Sequence, residues 1–293
     1  MKNRIVKLFV LMMSLIIGVQ AMANVKGKTN AKGKVLLVAS STNKLKLKNG
    51  SLVDTGYFLG ELAVPAMRLI DEGYDVVVAT PQGNAPTLDQ KSVHVSMFNN
   101  DQKAMDKALN FVRTYSKLLK PLKLENVANG NLDEYVAVYI PGGHAPMNDL
   151  MIDKNLGKIL RYFHEKGKPT ALLCHGPIAL ISALDNAKEY QSAMISGDFK
   201  AQEEYGKNWI YADYKMTIYS NPEEYRVEQG ILKSNIEFYV ADALQVAKGI
   251  VNTRAIDEKH VVRDRELITG QNPNSDHAIA EELVKAIKED ANK

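Results

Sequence analysis

Short runs of β-branched and aliphatic residues recur along this chain, and the segments between them carry helical periodicity. Runs that are apolar at every position suit parallel strands buried on both faces. That restricts the fold to an α/β architecture, a mostly parallel sheet sandwiched by helices in the flavodoxin-like manner. Residues 35–38, 75–79, 135–140 and 171–173 are the strands expected on this pattern. Residues 61–72 read as a helix with Leu62, Pro65, Ala66, Leu69 and Ile70 on its apolar side. Pro65 there demands either the first turn or a kink. Residues 155–166 read as a second helix, closed by Gly167 and Pro169, and 178–184 as a third that is apolar throughout. Two of the strands run straight into glycine-rich turns, Pro141-Gly142-Gly143-His144 and Cys174-His175-Gly176-Pro177. Ligands of open parallel sheets bind outside the carboxyl ends of the strands, so these turns mark the site.

Met105, Ala108, Leu109, Val112 and Tyr115 share a helical face in a segment outside the alternating core. We read residues 94–131 as a small inserted cap, and 34–293 as one domain. Residues 24–33, rich in Gly, Lys and Asn, are a flexible lead-in. The first 23 residues have a basic start (Lys2, Arg4, Lys7), a 12-residue apolar run and Ala21-Met22-Ala23, the pattern of a cleaved signal peptide. The expectation is an exported protein, periplasmic or secreted, with no membrane attachment after cleavage. Outside that leader 34 basic residues face 34 acidic ones, so no electrostatic attraction to nucleic acid is expected.

A single cysteine, Cys174, cannot form an intramolecular disulfide. It lies where a strand turns into a helix, a position that projects a side chain above the sheet and favours a thiolate at the helix N-terminus. His175 is a base of the right range, and Gly142 and Gly143 offer N–H groups for an oxyanion. His144 and Gly176 complete the expected pocket. The other histidines (His94, His164, His260, His277) form no i, i+4 pair and no Cys/His cluster, so neither a metal nor a cofactor is expected. His164 reads as a surface residue and Trp209 as packing.

In order and spacing, the segments Ile140–His144, Leu173–Pro177 and residues 267–275 (LITGQNPNS) resemble the ThiJ/PfpI superfamily. Residues 55–61 with Pro65 do so as well, where a glutamate precedes a proline by four. The branch that looks most similar is the heat-shock chaperone and glutathione-independent glyoxalase (glyoxalase III) group, within the class I glutamine amidotransferase-like fold. The resemblance spans about 34–287. It implies Cys174 as nucleophile, His175 as its partner and Glu61 as a buried acid beside the thiol. It also implies a third acid about thirty residues after the cysteine, where Glu203 is preferred over Glu204. The amidotransferases take their histidine from a His-Pro-Glu segment, which this chain lacks.

The implied activity is conversion of methylglyoxal or a related 2-oxoaldehyde to the 2-hydroxy acid, a D-lactate dehydratase type of lyase without cofactor. Deglycation of early adducts is an adjacent possibility. The alternatives are an exported holding chaperone with unfolded protein clients and Cys174 as redox sensor, or a cysteine peptidase or amidase. The relatives also imply a homodimer.

Overall fold

The computed structural model describes residues 31–292. The leader read over 1–23, and all but the end of the lead-in, lie outside them. From Lys32 onward the described chain is one unit. No described helix is long and apolar enough to cross a membrane.

Seven strands form the main sheet: β1 (Lys34–Val38), β2 (Asp75–Thr80), β3 (Leu122–Lys123), β4 (Tyr135–Ile140), β5 (Thr170–Leu173), β6 (Val261–Asp264) and β7 (Leu267–Gly270). Their order is β6-β7-β5-β4-β1-β2-β3. Every neighbouring pair is parallel except β6 with β7. The expected α/β class is therefore what the chain adopts. Interior strands are covered on both faces: β5 and β7 are buried along their whole length, as the absence of polar alternation requires.

Register brings distant motifs together. Ile140 of β4 lies beside Leu172 of β5, and Leu173 of β5 beside Gly270 of β7. The turns that follow these three adjacent strands therefore meet at one edge of the sheet, although 130 residues separate the first from the last.

Helix α1 (Leu59–Asp71) begins two residues earlier than expected and buries Leu59, Glu61, Leu62, Ala63, Pro65, Ala66 and Leu69. Pro65 sits inside it, past the first turn. It has no N–H to donate to the carbonyl four residues back, which is that of Glu61. The hydroxyl of Tyr139, on β4, donates to that carbonyl instead. A spacing that looked like a sequence signature thus has a structural cause: the proline frees the Glu61 backbone, and the sheet takes hold of it. Tyr139→Phe should leave that buried carbonyl unpaired at a cost of about 1–3 kcal/mol. For a domain of this size that lowers the melting temperature by roughly 2–4 °C per kcal/mol, measurable by scanning calorimetry.

Two expectations are revised. Residues 94–131 are less a cap than a sheet-edge crossover. Helix α2 (Gln102–Thr114) packs on α1, and β3 extends the sheet from β2. Only the turn near Met97 and Asn99 reaches the site. The apolar stretch after Cys174 is a 3-10 helix, Gly176–Ala183, with all eight residues buried. A segment apolar on every side carries no period from which to read its pitch. Arg161 Nη1 and Trp209 Nε1 donate to its Ala183 and Leu180 carbonyls, at 2.9 Å each, so side chains satisfy backbone that a tighter helix leaves open. Trp209 is thus a packing residue, as read. His164 is not simply surface: its Nδ1 lies 2.9 Å from Glu266 Oε1 and 3.1 Å from the Tyr214 hydroxyl.

Candidate active site

Cys174 follows the last residue of β5 with φ +60°, a left-handed conformation that non-glycine residues rarely adopt. Its N–H donates to Gly270 O and its carbonyl accepts from Tyr219 N, both at 2.9 Å, so hydrogen bonds on each side enforce the strained turn. This is the strand–nucleophile–helix elbow with sulfur in place of oxygen. Packing behind it is tight. A Cβ on Gly142 would lie 2.6 Å from the Leu173 carbonyl and 2.7 Å from Cys174 Cβ, and one on Gly176 would lie 2.7 Å from the Ile140 carbonyl. Glycine at both positions is what lets the β4 and β5 turns close on each other.

The thiol is only 2% exposed, yet it lines a cavity of about 650 Å³ together with His144, His175, Phe58, Tyr219 and Arg226. Its Sγ is 3.3 Å from His175 Nδ1. His175 Nε2 in turn is 2.6 Å from Glu224 Oε2. Cysteine, imidazole and carboxylate are thus linked in sequence, the arrangement that activates a nucleophile through an oriented base. Since an ionised Glu224 only accepts, His175 carries its proton on Nε2 and presents Nδ1 to the thiol.

The third member is not Glu203. That residue is exposed on the helix Phe199–Tyr205, and Glu204 beside it is paired with surface Lys207. Glu224 sits on α3 (Asn221–Val227), fifty residues after the cysteine, and is 1% exposed. Its helix is fixed by a capping box between Ser220 and Glu223. The Glu223 carboxylate also accepts from Gln271 Nε2 at 3.0 Å and Asn272 Nδ2 at 2.8 Å, in the turn after β7. The sequence does carry a signal here: Ser220-Asn221-Pro222-Glu223 is a helix-start pattern that follows a strand end. Counting about thirty residues from the cysteine passed over it.

Glu61 stands on the other side of the sulfur. It is fully buried, and its Oε2 accepts the Gly142 N–H at 2.9 Å. Burial pushes its carboxyl up to about 8, against the pull of the Cys174 thiol and the Gly142 N–H, so at neutral pH it is a carboxylic acid. The expected oxyanion donors are therefore only half available, because Gly142 is already committed to Glu61. The Gly143 N–H bonds toward the sulfur. Neither glycine lines the cavity, and nor does Gly176; all three shape it from behind.

The expectation of a resting thiolate is also corrected. Burial raises the Cys174 thiol well above its ordinary value, and the Glu61 carboxyl adds to that. Desolvation outweighs whatever a short 3-10 turn offers in place of an α-helix N-terminus. The sulfur is thus protonated at rest, and its proton must leave as it attacks. Above about pH 8 the Glu61 carboxyl ionises and its charge opposes the thiolate, so in Glu61→Gln alkylation of Cys174 by iodoacetamide should set in at lower pH than in the wild type. An unchanged onset would show that the carboxyl does not act on the sulfur.

His144 Nε2 lies 2.8 Å from the second oxygen of Glu224. The donor atoms of His144, His175 and Glu224 fall within 4.8 Å of one another, the only grouping among the described residues with the makings of a metal triangle. Contacts of 2.6 and 2.8 Å between nitrogen and carboxylate are hydrogen bonds that join the three residues into one cluster.

A cysteine on a strained elbow, a histidine next in sequence and a buried acid from a helix with an internal proline are the features by which this fold can be sorted among its relatives. Residues 52–226 match the ThiJ/PfpI family-like profile. The chain belongs to the ThiJ/PfpI family. It is 27% identical over 272 residues to the protein/nucleic acid deglycase HchA of Staphylococcus aureus (strain bovine RF122 / ET3-1), covering 88% of this chain and 82% of that protein. Among solved structures it resembles glyoxalase III of Candida albicans, with a TM-score of 0.66 and 20% identity over 87% of this chain and 97% of that one. The Rapid Encystment Protein of 24 kDa from Francisella tularensis is similar, with a TM-score of 0.64 and 23% identity over 87% and 99% of the two chains. These two structural likenesses establish the shared fold.

Proposed function

We propose that this ThiJ/PfpI protein is a glutathione-independent glyoxalase that converts methylglyoxal or a related 2-oxoaldehyde to the 2-hydroxy acid. Removal of early glycation adducts would begin from the same encounter. The observation that carries the reading is a thiol held between the His175 imidazole, 3.3 Å away, and the buried Glu61 carboxyl, at the wall of a cavity. The similarity to a deglycase at 27% identity supports it.

In this scheme Sγ attacks the aldehyde carbon while His175 Nδ1 takes the thiol proton and passes it to the aldehyde oxygen, giving a hemithioacetal. The hydrogen on C1 is then removed as a proton and returned to C2 through an enediol, with Glu61 and His175 as the groups within reach of the sulfur to carry it. C1 becomes the carbonyl of a 2-hydroxyacyl thioester. Water adds to that carbonyl, the C–S bond breaks, and the acid leaves with the thiol restored. No net oxidation occurs: one carbon is oxidised as its neighbour is reduced, and one water is consumed. A relay of groups that are neutral in the free enzyme suits these steps, since the thiol proton leaves only as the C–S bond forms and no free thiolate has to build up.

We also read the leader as an export signal, which would place this chemistry outside the cytoplasm. The deciding experiment incubates purified protein with methylglyoxal and assays D- and L-lactate. Lactate formation without added thiol or metal supports the assignment. Its absence, with Cys174 shown intact and alkylatable, overturns it.

A further inference from the structure

Glu224 serves two imidazoles, and a single nucleophile–base–acid chain needs only one. His144 Nε2 is bound to Oε1 and His175 Nε2 to Oε2, and the three residues are 5%, 2% and 1% exposed. The imidazole rings stand 4.1 Å apart at 42°, with the Tyr219 ring 4.5 Å from His175. His175 is therefore packed against two rings. Both histidines line the cavity.

We propose that His144 is a positioning residue that, through the shared Glu224 carboxylate, takes the extra proton of the cluster and keeps His175 neutral for the thiol. This rests on the reading of Cys174 and His175 as nucleophile and base. The argument is a proton count. An ionised Glu224 accepts from both Nε2–H groups, so each ring is neutral with Nδ1 free. One further proton makes the buried cluster electrically neutral. A second would put two imidazolium rings 4.1 Å apart against one carboxylate, which like-charge repulsion disfavours.

The surroundings decide which ring takes that single proton. His144 has Glu224 and the more distant Asp89 acting for its charge and Lys91 against it, and its affinity for a proton is raised although burial opposes this. His175 has Glu224 and Glu223 acting for its charge, but burial and His144 act against it and its affinity falls. Of the two rings, the one hydrogen-bonded to the Cys174 sulfur is His175, through Nδ1. As pH falls, His144 therefore charges first, and the base beside the sulfur stays available to lower pH than it would alone.

Glutamine in place of His144 keeps a donor near the Nε2 position and removes the titrating charge, while alanine removes both. In His144→Gln the midpoint of the His175 ring, followed by carbon-13 NMR of its Cε1, should rise by about one unit. The acid limb of kcat/KM should move up with it. His144→Ala should lose tenfold or more in kcat, because one oxygen of Glu224 loses its donor. A His144→Gln protein whose His175 titration and acid limb superimpose on the wild type overturns the proposal and leaves His144 a mere prop. The NMR titration needs no substrate, so it decides the role of His144 even if methylglyoxal proves not to be turned over.

Discussion

Replacing Cys174 with alanine should abolish lactate formation from methylglyoxal, with kcat falling at least about 10,000-fold. No other thiol exists in the chain to take over the attack. The fold should survive the change. Alanine is smaller than cysteine and cannot clash with Gly142 or Leu173, and the backbone bonds that hold the φ +60° turn come from Gly270 and Tyr219 rather than from the sulfur. The removed thiol also hydrogen-bonds the buried Glu61 carboxyl, so its loss costs about 1 kcal/mol. The melting temperature of Cys174→Ala should thus stay within a few degrees of the wild type. Undiminished lactate formation by a folded Cys174→Ala protein would remove the sulfur from the mechanism.

The second large effect separates two glutamates. Glu224→Gln should cost about 100- to 10,000-fold in kcat. An amide in that place must point its NH2 at one of the two imidazole Nε2 atoms. If it faces His175, the ring turns its proton to Nδ1 and can no longer take one from the thiol. If it faces His144, the negative charge that steadies an imidazolium on His175 is still gone. Glu203→Ala should leave kcat within about twofold, since an exposed glutamate on the helix Phe199–Tyr205 touches neither ring nor sulfur. Steady-state kinetics on the two variants, with melting curves to show both folded, is the comparison. A damaged Glu203→Ala beside an active Glu224→Gln would restore the acid first expected from the sequence.

The contrast between these glutamates shows how far linear spacing carries. Cys174 and His175 were legible because each sits in a local pattern with a local cause, and Glu61 through the family resemblance, whose spacing has a local cause too. The thiol ends an apolar strand before Gly-Pro, the histidine is its neighbour, and Glu61 lies four residues ahead of a proline that unpairs its carbonyl. Glu224 was not, because its distance along the chain from Cys174 depends on loops that fold independently of the elbow. The same blindness covered His144, expected to line the pocket and found to do so, but whose carboxylate partner lies eighty residues away. Gly142 was placed correctly, yet its N–H was assigned to an oxyanion when Glu61 already holds it.

The order of apolar runs and helical segments alone determined the layers, the central strands and the end of the sheet where chemistry belongs, since hydrophobic burial reads one residue type at a time. Protonation was decided only by three-dimensional packing. Whether a thiol is charged, which acid stays neutral and which imidazole holds the proton all follow from desolvation and from charges a few ångströms away, brought there by the register of β4, β5 and β7.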